Sequence, residues 1–126
     1  MREDNIQSVA KSTREFFVNG MKGHSAVCNI TRLNGDVYLI ERTNNRPDIK
    51  VLIADIYIAG EGDVLEITCD YKDIDCIVLV GFYNRYSMAA KELAKERNVG
   101  LYDKGEFFGA VNCTGAAFLN YERKNK

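Results

Sequence analysis

Two periods of apolar residues run along this chain, one helical and one extended. Between residues 5 and 21, Ile6, Val9, Ala10, Thr13, Phe16, Phe17 and Met21 recur at three and four. That spacing predicts an amphipathic helix, bracketed at its end by Gly20 and Gly23. β-rich runs at 26–33 and 36–42 flank Asn34-Gly35, a strong hairpin signal. Pro47 places Thr43–Asp48 in a loop. Lys50–Ile58 reads as a buried strand, Ala59–Gly62 as a turn, and Asp63–Cys69 as a returning strand. Asp70–Asp75 is too short for a crossover helix, so strands 63–69 and 76–82 should be antiparallel neighbours. Cys76–Phe82 is an unbroken apolar run, as in a strand buried on both faces. Ser87 is the expected N-cap of a helix over 87–97, with Gly100 ending that helix region. A strand near 99–102 and a short helix near 105–111 follow. Residues 112–121 fit either a strand or a helix. The expected architecture is a mixed α/β (α+β) sheet flanked by helices, in a single domain over residues 1–126.

Composition narrows the function classes. The chain has 126 residues, 46% of them hydrophobic, and a net charge of −1. Nothing global drives it toward nucleic acid or anionic lipid, so either would need a local patch. The N-terminal stretch has no apolar signal core, and no run approaches the roughly 20 apolar residues of a membrane span. A cytoplasmic location is expected. Cys28, Cys69, Cys76 and Cys113 form no C-x-x-C pair and read as buried, reduced thiols. The single histidine, His24, reads as a surface or capping residue. There is no P-loop, G-x-G-x-x-G, G-x-S-x-G or Cys/His nucleophile pair.

Asp55 lies among apolar neighbours in VLIADIYI, where a carboxylate is costly unless paired or hydrogen-bonded. If the turn pairs Ile58 with Asp63, Asp55 faces Glu66 across a hairpin. Two facing carboxylates repel unless a cation or a proton sits between them. A structural, hydrogen-bonded Asp55 with a solvent-facing Glu66 is the alternative.

The segment Cys76–Val111, with Ala90-Lys91-Glu92-Leu93-Ala94 and Val99-Gly100-Leu101-Tyr102-Asp103, resembles the C-terminal strand–helix–strand unit of Mrr-like restriction endonucleases. The resemblance implies a restriction-endonuclease-like fold of the PD-(D/E)xK superfamily. In that family an Asp and an Asp/Glu-x-Lys on paired strands hold a divalent metal that activates water. Carried over, Asp55 matches the metal Asp and Glu66-Ile67-Thr68 the Glu-x-Lys, with the Ile67 carbonyl as a further ligand. Mg²⁺ or Mn²⁺ would be the cofactor; otherwise none is expected. Thr68 stands where the family has Lys, with Lys72 or Lys50 as candidate substitutes. The family's helix before the next strand has no counterpart in Asp70–Asp75.

These departures favour a non-catalytic domain that binds nucleic acid or a protein partner, by analogy in phage or mobile-element defence or counter-defence. A Mg²⁺-dependent nuclease using Asp55 and Glu66 is the rival. Nucleic acid would meet Tyr83, Arg85 and Tyr86, where a βα loop favours anions and tyrosines can stack, with Lys72, Lys91 or Lys95 nearby. Arg14, Lys22, Arg32, Arg42 and Arg46 read as solvated surface. A third reading is a homodimer formed through Phe107–Val111 and Ala116–Leu119, which carry more apolar residues than a terminal element needs.

Overall fold

A computed structural model describes residues 9–122. A five-stranded mixed sheet stands between two layers of helices. In chain order the elements are α1 (Lys11–Lys22), β1 (Val27–Asn34), β2 (Val37–Arg42), β3 (Ile49–Ala54), β4 (Ile58–Ala59), α2 (Glu61–Asp70), β5 (Cys76–Leu79), β6 (Arg85–Tyr86), α3 (Met88–Glu96), β7 (Gly100–Asp103), α4 (Lys104–Ala110) and α5 (Gly115–Leu119). The sheet order is β1-β2-β3-β5-β7, and β4 pairs with β6 in a separate two-stranded sheet. β1, β2 and β3 are antiparallel, whereas β3, β5 and β7 are parallel.

Period two divides the central strands between two cores. Val51, Ile53, Cys76, Val78 and Tyr102 face Phe17 and Met21 of α1, Phe107 of α4 and Phe118 of α5. Leu52, Ala54, Ile77, Leu79 and Leu101 face Val64 and Ile67 of α2 and Ala90 and Ala94 of α3. Burial on both faces explains the continuous apolar runs Val51–Ala54 of β3 and Cys76–Leu79 of β5.

Most expected elements form, and several expectations need correction. Residues 61–70 are a helix, not the strand expected at 63–69. Val64 and Ile67 face the core three residues apart, and Gly60 N–H donates to Asp63 Oδ2 at 2.9 Å in the first turn. This helix is the crossover that parallel β3 and β5 require, so 63–69 and 76–82 are not antiparallel neighbours. The strand expected at 50–58 ends at Ala54 and resumes only as the short β4. Helix α1 starts at Lys11, not residue 5; positions 5–8 lie outside the described residues. The helix ending near Arg97 is closed by Asn98 in the left-handed region (φ 63), and Gly100 begins β7 instead.

Side chains bring further corrections. Only Cys76 is a buried thiol; Cys28 and Cys69 are exposed. His24 has a structural role: its Nδ1 accepts from Ala26 N–H at 3.0 Å, and Nε2 lies 2.8 Å from the Phe108 carbonyl. In the C-terminal segment considered for self-association, Phe107, Val111 and Phe118 are buried in the core. Arg42 and Arg46 are not free surface charges. Arg42 is buried and donates to the carbonyls of Pro47 (2.8 Å), Val111 (3.0 Å) and Cys113 (2.6 Å). Arg46 donates to Asn112 O at 3.0 Å. Both cations thus serve the carbonyls around the end of α4. Burial and the neighbouring Arg46 charge lower the Arg42 pKa.

Candidate functional site

Parallel strands joined by helices place all their outgoing loops at one edge of the sheet. Here that carboxyl edge collects Asp55 after β3, Gly81–Asn84 after β5, and Asp103-Lys104-Gly105 at the junction of β7 and α4. Asn84 ties these ends together. Its Oδ1 accepts from Ile56 N–H (3.0 Å) and Gly81 N–H (2.9 Å), and its Nδ2 donates to Asp55 Oδ1 at 3.1 Å. Gly81 leaves room for this: a Cβ there would collide with both the Asn84 amide and Asp55 Oδ1.

The pinned loop carries exposed rings. Phe82 is 87% exposed, Tyr83 72% and Tyr57 64%. Phe82 and Tyr83 meet edge to face with centroids 5.0 Å apart, and the Arg85 guanidinium lies 5.9 Å from the Tyr57 ring centroid. Arg85 N–H donates to Tyr57 O (2.9 Å) and Ser87 N–H to Ala59 O (3.0 Å), so β4 and β6 hold these groups side by side. Two shallow depressions flank the loop. One, of 290 Å³, is lined by Tyr57, Phe82, Tyr83, Asn84 and Arg85. The other, of 250 Å³, lies between Gly81, Phe82 and Asn84 on one side and Asp103, Lys104 and Gly105 on the other.

Below this edge sits a buried polar knot. Lys91 on α3 is only 3% exposed; its Nζ donates to Leu101 O at 2.5 Å and lies 4.2 Å from the Tyr102 ring centroid and 5.0 Å from that of Tyr86. Tyr86 donates its hydroxyl to the Glu106 carboxylate (2.8 Å to Oε2), and Tyr102 donates to Phe118 O. Burial lowers the Lys91 pKa. Burial, and then the bond to Glu106, raises that of Tyr86; burial likewise raises that of Tyr102.

The sequence-derived candidates therefore separate. Asp55, Tyr83 and Arg85 share the carboxyl edge. Tyr86 is half-buried with its hydroxyl on Glu106, and Lys91 is buried. Lys72 is exposed in the loop entering β5, at the opposite edge, because α2 carries the chain back there. Glu66 sits on α2, and the hairpin that would set it against Asp55 does not exist. Ile67 is buried in that helix with its carbonyl accepting from Tyr71 N–H at 2.8 Å. Among the described residues no three His, Cys, Asp or Glu side chains come together as a metal site. No helix among them is long and apolar enough to cross a membrane.

The sequence reading holds Asn84 only as part of the Tyr83–Tyr86 loop, passes over Tyr57, and places Phe82 in a buried strand, whereas that strand ends at Leu79 and Phe82 is exposed. The available signal was a large apolar pair, Phe82-Tyr83, just past a strand whose buried length ends earlier.

No family model, curated protein or solved structure matches the chain.

Proposed function

We propose that the chain is a non-catalytic restriction-endonuclease-like domain that binds unpaired nucleic acid at the carboxyl edge of its parallel strands. The observation that carries this is the set of three exposed rings, Tyr57, Phe82 and Tyr83, beside Arg85 on a loop whose backbone Asn84 holds in place. Bases stack on such rings irrespective of sequence, and a guanidinium beside them offers both a phosphate contact and a stacking plane. The family reading is supported by the segment Cys76–Val111, which forms the strand, helix, strand and short helix of the resemblance. Two features favour binding over cleavage. Asp55 spends one oxygen on Asn84, and the residues aligned with Glu-x-Lys lie on a helix.

The test is fluorescence anisotropy with labelled single-stranded and duplex oligonucleotides at ~50 mM salt, where phosphate contacts are strongest. Binding of the single strand that is lost in Phe82→Ala/Tyr83→Ala supports the reading; no binding by the native chain overturns it. Plasmid and single-strand cleavage with Mg²⁺ or Mn²⁺ tests the nuclease rival. Cleavage abolished by both Asp55→Ala and Glu66→Ala would sink the non-catalytic reading.

Exposed Ile58 and Met88 favour a second reading, in which the same edge receives a protein partner. Rigid exposed aromatics beside an Arg are typical interface anchors. Such binding would be far less sensitive to salt than phosphate binding.

A further inference from the structure

A second concave surface lies between α1 and the β1–β2 hairpin. It encloses 460 Å³ and is lined by Lys11, Arg14, Lys22, Arg32 and Tyr38, with Glu15 as the one lining carboxylate among the described residues. Lys11, Arg14 and Lys22 fall on one face of α1, at steps of three and eight residues. Arg32 comes from β1. The groove is thus cationic in a chain whose net charge is −1.

Local pairing does not use up these charges. Arg14 Nη1 stands 3.9 Å from Asp36 Oδ1, and Lys11 Nζ stands 4.0 Å from Glu15 Oε2. Among the described residues, four cations stand against Glu15 and Asp36, an excess of two positive charges. Backbone carbonyls hold both guanidinium groups: Arg32 Nε donates to Gly35 O at 2.6 Å, and Arg14 Nη1 to Val9 O at 3.3 Å. Helix stability does not account for Lys11. It stands in the first turn of α1, where the dipole disfavours a cation and no acidic residue is present. Its i,i+4 partner Glu15 lies on the less favourable, C-terminal side.

From these observations we infer that the α1/β1–β2 groove binds the phosphodiester backbone of nucleic acid. Lys11 to Lys22 spans about 16 Å of helix, the rise of about five nucleotides of one strand, which suits a polymeric anion better than a single small one. The Arg14 and Arg32 forks match phosphate oxygens, and Lys11 and Lys22 act as point charges at the two ends of α1. The ligand class is that proposed for the aromatic edge, but the surface and its chemistry are separate.

The test compares the native chain with Lys22→Glu/Arg32→Glu, with Lys11→Glu, and with Phe82→Ala/Tyr83→Ala, using labelled single-stranded and duplex oligonucleotides over a salt series. All substituted groove residues are exposed, and circular dichroism checks each fold. The double reversal is expected to weaken binding at least tenfold and to flatten the duplex salt slope by about two, from its two lost cations. Lys11→Glu should flatten it by about one. Phe82→Ala/Tyr83→Ala should lower affinity for the single strand and leave the slope unchanged. The inference is overturned if the reversals change neither affinity nor slope while the aromatic variant abolishes binding. It is equally overturned if polyglutamate displaces the oligonucleotide at matched charge, or if the native chain binds neither strand at ~50 mM salt.

Discussion

Asn84 and Asp55, 29 residues apart in sequence, are joined by a 3.1 Å hydrogen bond that locks the end of one central strand to the loop leaving the next. The Asn84 carbonyl also closes the backbone on both sides, at Ile56 and Gly81. Asn84→Ala should therefore cost about 2–4 kcal/mol, because two backbone N–H groups lose their acceptor along with the bond to Asp55. Asn84→Asp keeps the acceptor but sets a carboxylate against Asp55. Its deficit should shrink as pH falls and the pair takes up a proton, whereas that of Asn84→Ala should not. Urea melts at two pH values distinguish them.

Arg42 makes three hydrogen bonds to backbone carbonyls from a buried position, 5.7 Å from the Phe118 ring centroid. Arg42→Ala is expected to cost roughly 2–4 kcal/mol. Arg42→Lys should recover less than half of this, since an ammonium cannot reproduce the guanidinium fork. Thermal melts of the two variants check it.

Phe118→Asp should unfold the chain rather than split a dimer. The ring packs against Tyr102 at 5.7 Å between centroids within the core. A carboxylate there would cost more than about 3 kcal/mol. Far-ultraviolet circular dichroism and sedimentation together separate unfolding from dissociation. By contrast, Phe82→Ala and Tyr83→Ala should stay within ~0.5 kcal/mol of the native chain, since both rings stand in solvent.

Stability should peak on the alkaline side and then fall. Burial lowers the Lys91 pKa below its ordinary 10.5. The unfolded chain therefore holds that proton longer, and stability rises with pH up to about 10.5. Tyr86 and Tyr102 are raised above their ordinary 10, so the unfolded chain loses those protons first. Their contribution is complete below pH 10 and is lost as pH climbs past it. The buried Cys76 thiol, also raised, acts in the same direction. Denaturant melts across the alkaline range should show Lys91→Met without the rise and Tyr86→Phe with a gentler fall.

Period and turn chemistry made most of the fold legible. The Asn34-Gly35 hairpin and the Ser87-capped helix stand where local signals put them, and the doubly buried strand begins at Cys76 as expected but ends at Leu79, short of Phe82. The Ser87 hydroxyl accepts from Ala90 N–H at 3.0 Å, as an N-cap should. Helix α2 was misread because Val64, Glu66 and Thr68 also fit an alternation of two, and Ile67 and Thr68 are β-branched. Two neighbouring runs apolar on both faces already demanded a crossover helix between them, with Glu61 and Asp63 marking its first turn. That single error produced the supposed Asp55–Glu66 pair. The sorting of the cations could not be read locally, because Arg14, Lys22 and Arg32 meet only through the packing of α1 on the hairpin, while Arg42 and Arg46 reach the end of α4.

The unequal faces of the sheet make the folding of this chain observable one side at a time. The buried rings, Phe17, Tyr38, Tyr102, Phe107 and Phe118, all belong to the core beneath α1, α4 and α5, and the chain has no tryptophan. The opposite core is aliphatic where it is fully buried. Near-ultraviolet dichroism should therefore follow chiefly the closing of the first face. Methyl signals of Leu52, Ile77, Leu79 and Leu101 follow the second, so a lag between the two would reveal which helical layer docks first.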